Sequence, residues 1–155
     1  MTTGRLLIID DDVRHRDSVV RLVAEAGHEI VGAGSGPDFE TLLARADAVD
    51  LVLLDLHMPG VDGYDVLAAL RDRDARPAVI ILTGREDAAD MRRLLRLGAD
   101  DFLVKPYDPD QLLASVEELL GRRARDAATL RLLARVRESD EVYRFLVEQS
   151  PDVIY

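Results

Sequence analysis

The sequence predicts an α/β protein: a doubly wound, five-stranded parallel sheet with helices on both faces and a helical extension on its C-terminal side. Three observations carry that expectation. Five short β-rich runs alternate with five amphipathic stretches. One run, Leu51-Val52-Leu53-Leu54, is apolar throughout, as a strand covered on both faces must be. The residues able to do chemistry fall just after individual runs, where an open parallel sheet builds its ligand site.

The first run, Leu6 to Ile9, ends on Asp10-Asp11-Asp12, and residues 13–26 follow as a helix whose C-terminal end suits Gly27. Glu29 to Gly32 forms the second strand and 37–46 the second helix. Leu51 to Leu54 is the third strand, delivering Asp55 ahead of a helix over 63–73. Val79 to Leu82 leads to Thr83-Gly84 and a helix over 86–97, closed by Gly98. Phe102 to Val104 is the fifth strand and delivers Lys105. Asp108-Pro109-Asp110-Gln111 then opens a helix over 109–121 with a capping acid, a proline at the first helical position and a Gln placed to complete a capping box. Regular alternation makes each connection a right-handed crossover.

The 155 residues, 48% of them apolar, suffice for one domain with its own core plus an appendage. A net charge of −10 repels nucleic acid and anionic membrane, so neither is an expected partner. The absence of cysteine excludes disulfides and thiolate chemistry and agrees with a reducing, cytoplasmic setting. No signal peptide is recognisable, and no stretch approaches the roughly 18 apolar residues of a membrane span. Residues 1–121 hold 13 basic and 24 acidic side chains against 7 and 6 over 122–155, which places a domain boundary at Gly121. Lys105 is the only lysine among 20 basic residues.

Four acids gathered at strand ends, Asp10, Asp11, Asp12 and Asp55, are a costly cluster of like charge unless a cation neutralises them, and hard carboxylate oxygens suit Mg²⁺ or Mn²⁺. Because Mg²⁺ takes only one or two direct carboxylates, Asp55 is left free to attack phosphorus as a nucleophile. Lys105 offers a compact cation and Thr83 a hydroxyl to meet the developing charge. Each has a plainer reading: Asp11 or Asp12 as the cap of the first helix, Thr83-Gly84 as a loop start. Their joint occurrence at successive strand ends is stronger than any member alone. His15 and His28 lack metal-ligand spacing and read as surface or packing residues.

The segments LLIIDDD, LVLLDLHMPGVDG, VIILTG and GADDFLVKPYD resemble, in order, the motifs of bacterial response-regulator receiver domains over residues 5–121. The expected strand order is 2-1-3-4-5, flavodoxin-like. The resemblance implies Asp55 as the phosphorylated aspartate, Thr83 as switch hydroxyl and Lys105 as the active-site lysine. It implies a metal held by Asp10, Asp11, Asp55 and the backbone carbonyl of His57, and a switch aromatic at Phe102. It also implies a cis Lys105–Pro106 bond, and a histidine kinase or phosphotransfer protein as donor. His57 and Arg85 occupy positions able to screen the phosphoryl group, with solvent-facing placement equally open. A rival reading, a haloacid-dehalogenase-type phosphatase using Asp10 and Asp12, leaves Asp55 and DLHMPGVDG without a role.

Residues 122–140 read as a helical linker with apolar Leu130, Leu133, Ala134 and Val136; pairing with a second copy and service as a spacer both stay open. The ending YRFLVEQSPDVIY, within 141–155, resembles the start of a PAS sensory domain, a generic amphipathic helix being its alternative. That resemblance implies an output such as a histidine kinase or diguanylate cyclase further along the protein.

Overall fold

The computed structural model describes residues 2–45, 48–73, 75–84 and 88–138. Its main sheet has five parallel strands: β1 (Arg5–Ile9), β2 (Glu29–Gly34), β3 (Leu51–Asp55), β4 (Ala78–Thr83) and β5 (Asp101–Val104). Their spatial order is β2-β1-β3-β4-β5, so the direction of winding reverses at β1 and β3, and the expected order holds. Between them run α1 (Val13–Glu25), α2 (Phe39–Arg45), α3 (Gly63–Arg71) and α4 (Ala88–Arg96), with α5 (Pro109–Glu138) after β5. A compact unit ends at Leu120. Among the described residues no helix is long and apolar enough to cross a membrane.

Alternation along the strands divides the core in two. Leu7, Ile9, Val52, Leu54, Val79 and Ile81 point to the face covered by Leu43, Val66, Leu67, Leu70 and Leu94 of α2, α3 and α4. Leu6, Ile8, Leu51, Leu53, Ile80 and Leu82 point to the other, against Val19 and Val23 of α1 and Leu112, Val116 and Leu119 of α5. Each such buried side chain is worth about 1.5–3 kcal/mol in transfer from water, so β3 and β4, buried on both faces, form the least yielding part of the sheet. The register pairs Ile9 with Leu54 and Leu54 with Ile81, which sets the C-terminal ends of β1, β3 and β4 side by side.

Gly27 and Gly98 end their helices at φ of 98° and 112°, as a left-handed C-terminal cap requires. At the start of α5 the Gln111 side chain accepts from the Asp108 amide at 3.3 Å, while an Asp108 carboxylate oxygen accepts from the Asp110 amide at 2.9 Å. Two local features depart from the sequence reading. The second helix begins as a 3₁₀ turn, Gly36–Asp38, where Ser35 and Asp38 make a reciprocal capping box and Pro37 lies in the first turn. The segment after β3 also folds into a small antiparallel hairpin, His57–Met58 with Val61–Asp62. Pro59 followed by Gly60 at φ 77° supplies its turn, and Gly63 sits so close to Leu56 that an added Cβ would stand 2.7 Å from the Leu56 carbonyl oxygen. Arg85, the first two residues of the expected 86–97 helix, the last two of the expected 122–140 linker and the segment 141–155 lie outside the described residues.

Candidate functional site

Three strand ends meet at the switch point, and each contributes a polar side chain that its strand holds out of water. Asp10 follows β1 and is 1% exposed; Asp55 ends β3 and is 6% exposed; Thr83 ends β4 and is fully buried. Lys105 follows β5, with its amide donating to the Thr83 carbonyl at 2.6 Å and its Nζ standing 3.5 Å from Asp55 Oδ1. The Lys105–Pro106 bond is cis, as the resemblance implied. Phe102, paired with Ile81 two residues before Thr83 on β4, is half-buried against the α2–α4 side of the core.

The two central carboxylates respond differently to their surroundings. Burial and the charge of Asp10 raise the Asp55 pKa, and its hydrogen bond with Asp10 adds to this against the opposing pull of Lys105. Burial also works against the charge on Asp10, but the hydrogen bonds from His15 and the Asp12 amide, with the positive field of Lys105, outweigh it and hold its pKa below the usual range. Burial, with the charges of Asp10 and Asp55 behind it, pushes the Tyr107 hydroxyl up to about 12, so it stands in the site as a neutral hydroxyl.

The remaining acids part company. Asp11 is half-exposed, and its Oδ1 accepts from the Gly36 amide at 3.0 Å, tying the end of β1 to the 3₁₀ turn. Asp12 is the N-cap of α1, its carboxylate accepting from the amides of Arg14 and His15. That capping role occupies the second acid the phosphatase reading needed. The sequence reading expected Asp10, Asp11 and Asp55 to converge; among the described residues, however, no three acidic or imidazole side chains are gathered closely enough to hold a metal by themselves. A Mg²⁺ ion does not need three, since one or two carboxylates, a carbonyl, waters and phosphate oxygens complete its shell. The donor set fits it: Asp10 and Asp55 are both buried, hard oxygen donors at neighbouring strand ends. The backbone of His57 lies beside the site, its amide donating to Asp55 Oδ1 at 3.3 Å, while its side chain is exposed.

His15 is the functional residue that sequence reasoning missed. It does not lie idle on the surface: its Nδ1 is hydrogen-bonded to Asp10 Oδ2, and its Nε2 lies 2.6 Å from the Tyr107 hydroxyl. His28, by contrast, is buried between α1 and β2, with Nδ1 accepting from the Gly4 amide at 3.3 Å, and the packing role expected of it holds.

A five-stranded 2-1-3-4-5 sheet carrying an acid, a threonine and a lysine around a central aspartate defines a receiver domain. The family model of the response regulator receiver domain matches residues 6–117, and the chain belongs to that family. It is 36% identical over 127 residues to the transcriptional regulatory protein AruR of Pseudomonas aeruginosa, a match covering 79% of this chain and 51% of that protein. It is 30% identical over 145 residues to the aerobic respiration control protein ArcA of Escherichia coli, covering 94% and 58%. The chain therefore spans little more than half the length of these curated relatives. Among solved structures it resembles the receiver domain of the Francisella response regulator 1452, with a TM-score of 0.71 at 28% identity over 77% of this chain and 98% of that one. The receiver of a two-component signalling protein is thus what residues 6–117 form.

Proposed function

We propose that Asp55 is the phosphoacceptor of this receiver and that it takes its phosphoryl group from a phosphohistidine of a kinase or phosphotransfer partner. The observation that carries the reading is the setting of Asp55, a buried carboxylate with a second carboxylate, Asp10, on one side and the Lys105 ammonium 3.5 Å away on the other. In the transfer an Asp55 oxygen bonds to phosphorus while the phosphorus–nitrogen bond of the donor breaks, its electron pair returning to the imidazole. Asp10, Asp11, Asp55 and the His57 carbonyl would hold Mg²⁺, which would supply positive charge to the phosphoryl oxygens. Lys105 supplies a second, fixed cation, and Thr83 a hydroxyl donor on the adjoining strand end.

With Mg²⁺ and acetyl phosphate as donor, intact-mass and peptide mass spectrometry is expected to find one added phosphoryl group, on Asp55. A group on Asp10 instead would sink the reading and favour a phosphatase nucleophile.

Phosphorylation switches the domain by drawing Thr83 towards the new charge and letting Phe102 turn into the space it leaves, which alters the face made by α4, β5 and α5. Residues 1–121 are the switch and 122–140 a linker, helical as far as Glu138, that carries its state to the module joined to it. Leu130 and Leu133, 67% and 56% exposed, support a seam for a second copy of the linker. Sedimentation is expected to show the 155-residue chain dimerising and a chain ending at Gly121 remaining mainly monomeric without phosphoryl mimic; a monomeric longer chain, with and without beryllofluoride, would leave the segment as a spacer.

A further inference from the structure

We propose that His15 is a positioning residue for Asp10, locked in place by the Tyr107 hydroxyl, so that these two side chains set the affinity of the site for its divalent cation. The proposal rests on the reading of Asp10 and Asp55 as the metal and phosphoryl site.

The placement begins with a helix cap. Asp12 accepts from the amides of Arg14 and His15, which fixes the first turn of α1 immediately after the β1 strand end. Helical side chains lean towards the N-terminus, so the imidazole of His15, third residue of α1, reaches back towards Asp10. There Nδ1 meets Asp10 Oδ2. An ionised carboxylate only accepts, so Nδ1 carries the proton and donates it. Nε2 is thereby committed to the Tyr107 hydroxyl at 2.6 Å, the two rings meeting edge-on at 5.8 Å. The other Asp10 oxygen accepts from the Asp12 amide at 2.9 Å, and the Asp10 carbonyl accepts from Arg16 at 2.9 Å. Asp10 is therefore held at both carboxylate oxygens and at its backbone.

Tyr107 stands two residues after Lys105. One short loop after β5 thus grips both central carboxylates: Asp55 directly through Lys105 at 3.5 Å, and Asp10 through Tyr107 and His15. The same imidazole and phenol line an open groove of about 560 Å³ with Ser18, Val19, Leu22 and Lys105. Outer-shell partners that orient a carboxylate or imidazole ligand are typically worth about 10–100-fold in metal affinity.

The test is Mg²⁺ titration of the whole chain by calorimetry, with long-range ¹H–¹⁵N spectra of the histidine nitrogens in metal-free protein. His15→Leu, of similar volume, is expected to weaken Mg²⁺ binding about tenfold, and Tyr107→Phe severalfold. The double variant should be no weaker than His15→Leu alone, because the hydroxyl acts only through the imidazole. His15→Asn, which returns an N–H donor within reach of Asp10, should recover most of the affinity. In metal-free protein Tyr107→Phe should shift the Nε2 resonance of His15 and leave a proton on Nδ1. Binding within twofold of wild type in His15→Leu, additive losses in the double variant, or no rescue by His15→Asn would overturn the proposal. Should His15→Leu not fold, an unchanged Nε2 resonance and unchanged Mg²⁺ affinity in Tyr107→Phe would overturn it. Failure of the wild type to bind Mg²⁺ or beryllofluoride overturns the phosphoacceptor reading and this proposal together, whereas normal wild-type binding with unaffected variants overturns this one alone.

Discussion

Asp55→Asn is expected to abolish phosphorylation by acetyl phosphate and, in the same protein, to raise the melting temperature measured in EDTA at neutral pH. The loss of chemistry follows from replacing the only carboxylate placed between Lys105 and Asp10 with an amide that is a far poorer nucleophile towards phosphorus. The gain in stability follows from electrostatics. Burial and the charge of Asp10 raise the Asp55 pKa in the folded state above its unfolded value, despite Lys105. A carboxyl shifted in that direction binds its proton more tightly when folded, so the native state loses stability as pH rises from the ordinary carboxylate range through the raised value. At neutral pH the charged form is a cost that Lys105 offsets only in part, and an isosteric amide removes it. Since each kcal/mol is worth about 2–8 °C in domains of comparable size, a rise of several degrees is expected, shrinking as the pH is lowered into the range where the wild-type carboxyl takes up its proton. Adding Mg²⁺ should close the gap from the other side, because a ligand bound only by the folded state stabilises it and the amide variant has lost a ligand oxygen. A melting temperature equal to or below that of the wild type in EDTA would show that the Lys105 pair outweighs the crowding of the two acids.

The parts of this molecule legible in its sequence are those with a local physical cause. Runs such as Leu51 to Leu54 have no polar face and must lie inside a sheet; Gly27 and Gly98 stand where helices have to end; Pro109 and Gln111 announce a helix start at which Gln111 caps the Asp108 amide as expected, while the Asp108 carboxylate accepts from Asp110. The positions of Asp55 and Thr83 were readable for the same reason, since both end strands that are buried along their whole length; Lys105 was readable as the single lysine, standing at the end of the edge strand β5. Legibility failed where the cause is short or distant. A two-residue strand has no period, so the His57–Met58 hairpin left no pattern, although Pro59-Gly60 marked its turn. Equal chemistry concealed unequal roles in Asp10-Asp11-Asp12: one acid enters the site, the next ties down the Gly36 amide, and the third caps α1. His15 was read as a bystander because its second partner, Tyr107, lies 92 residues away. The available clue was the cap itself, since an N-cap at Asp12 turns the third helical residue back over Asp10.

Lys105→Ala is expected to slow phosphorylation of Asp55 by about a hundredfold, the usual consequence of removing one fixed group that meets developing charge in the transition state, while leaving the fold intact. Lys105 is 27% exposed at its side chain and contributes no core packing, so circular dichroism should be unchanged. Its ammonium pulls the Asp55 pKa down against burial and Asp10, and without it Asp55 should hold its proton more tightly still. The variant should therefore show a weaker Mg²⁺ response as well as a slower reaction. Lys105→Arg separates charge from shape. The guanidinium keeps the positive charge but spreads it over a planar fork, where the ammonium is a compact point charge on a flexible stem reaching to 3.5 Å from Asp55 Oδ1. The arginine variant should restore the pull on Asp55, and with it the stability of the metal-free protein, more fully than it restores the rate. A chain that uses arginine at its other 19 basic positions keeps lysine only here, which is the pattern that shape dependence requires. The same singularity makes the test clean: reductive ¹³C-methylation labels one side-chain amine besides the N-terminus, and its resonance should move when beryllofluoride and Mg²⁺ are added to the wild type. If Lys105→Arg reacts as fast as the wild type, charge alone suffices and the lone lysine carries no chemical meaning.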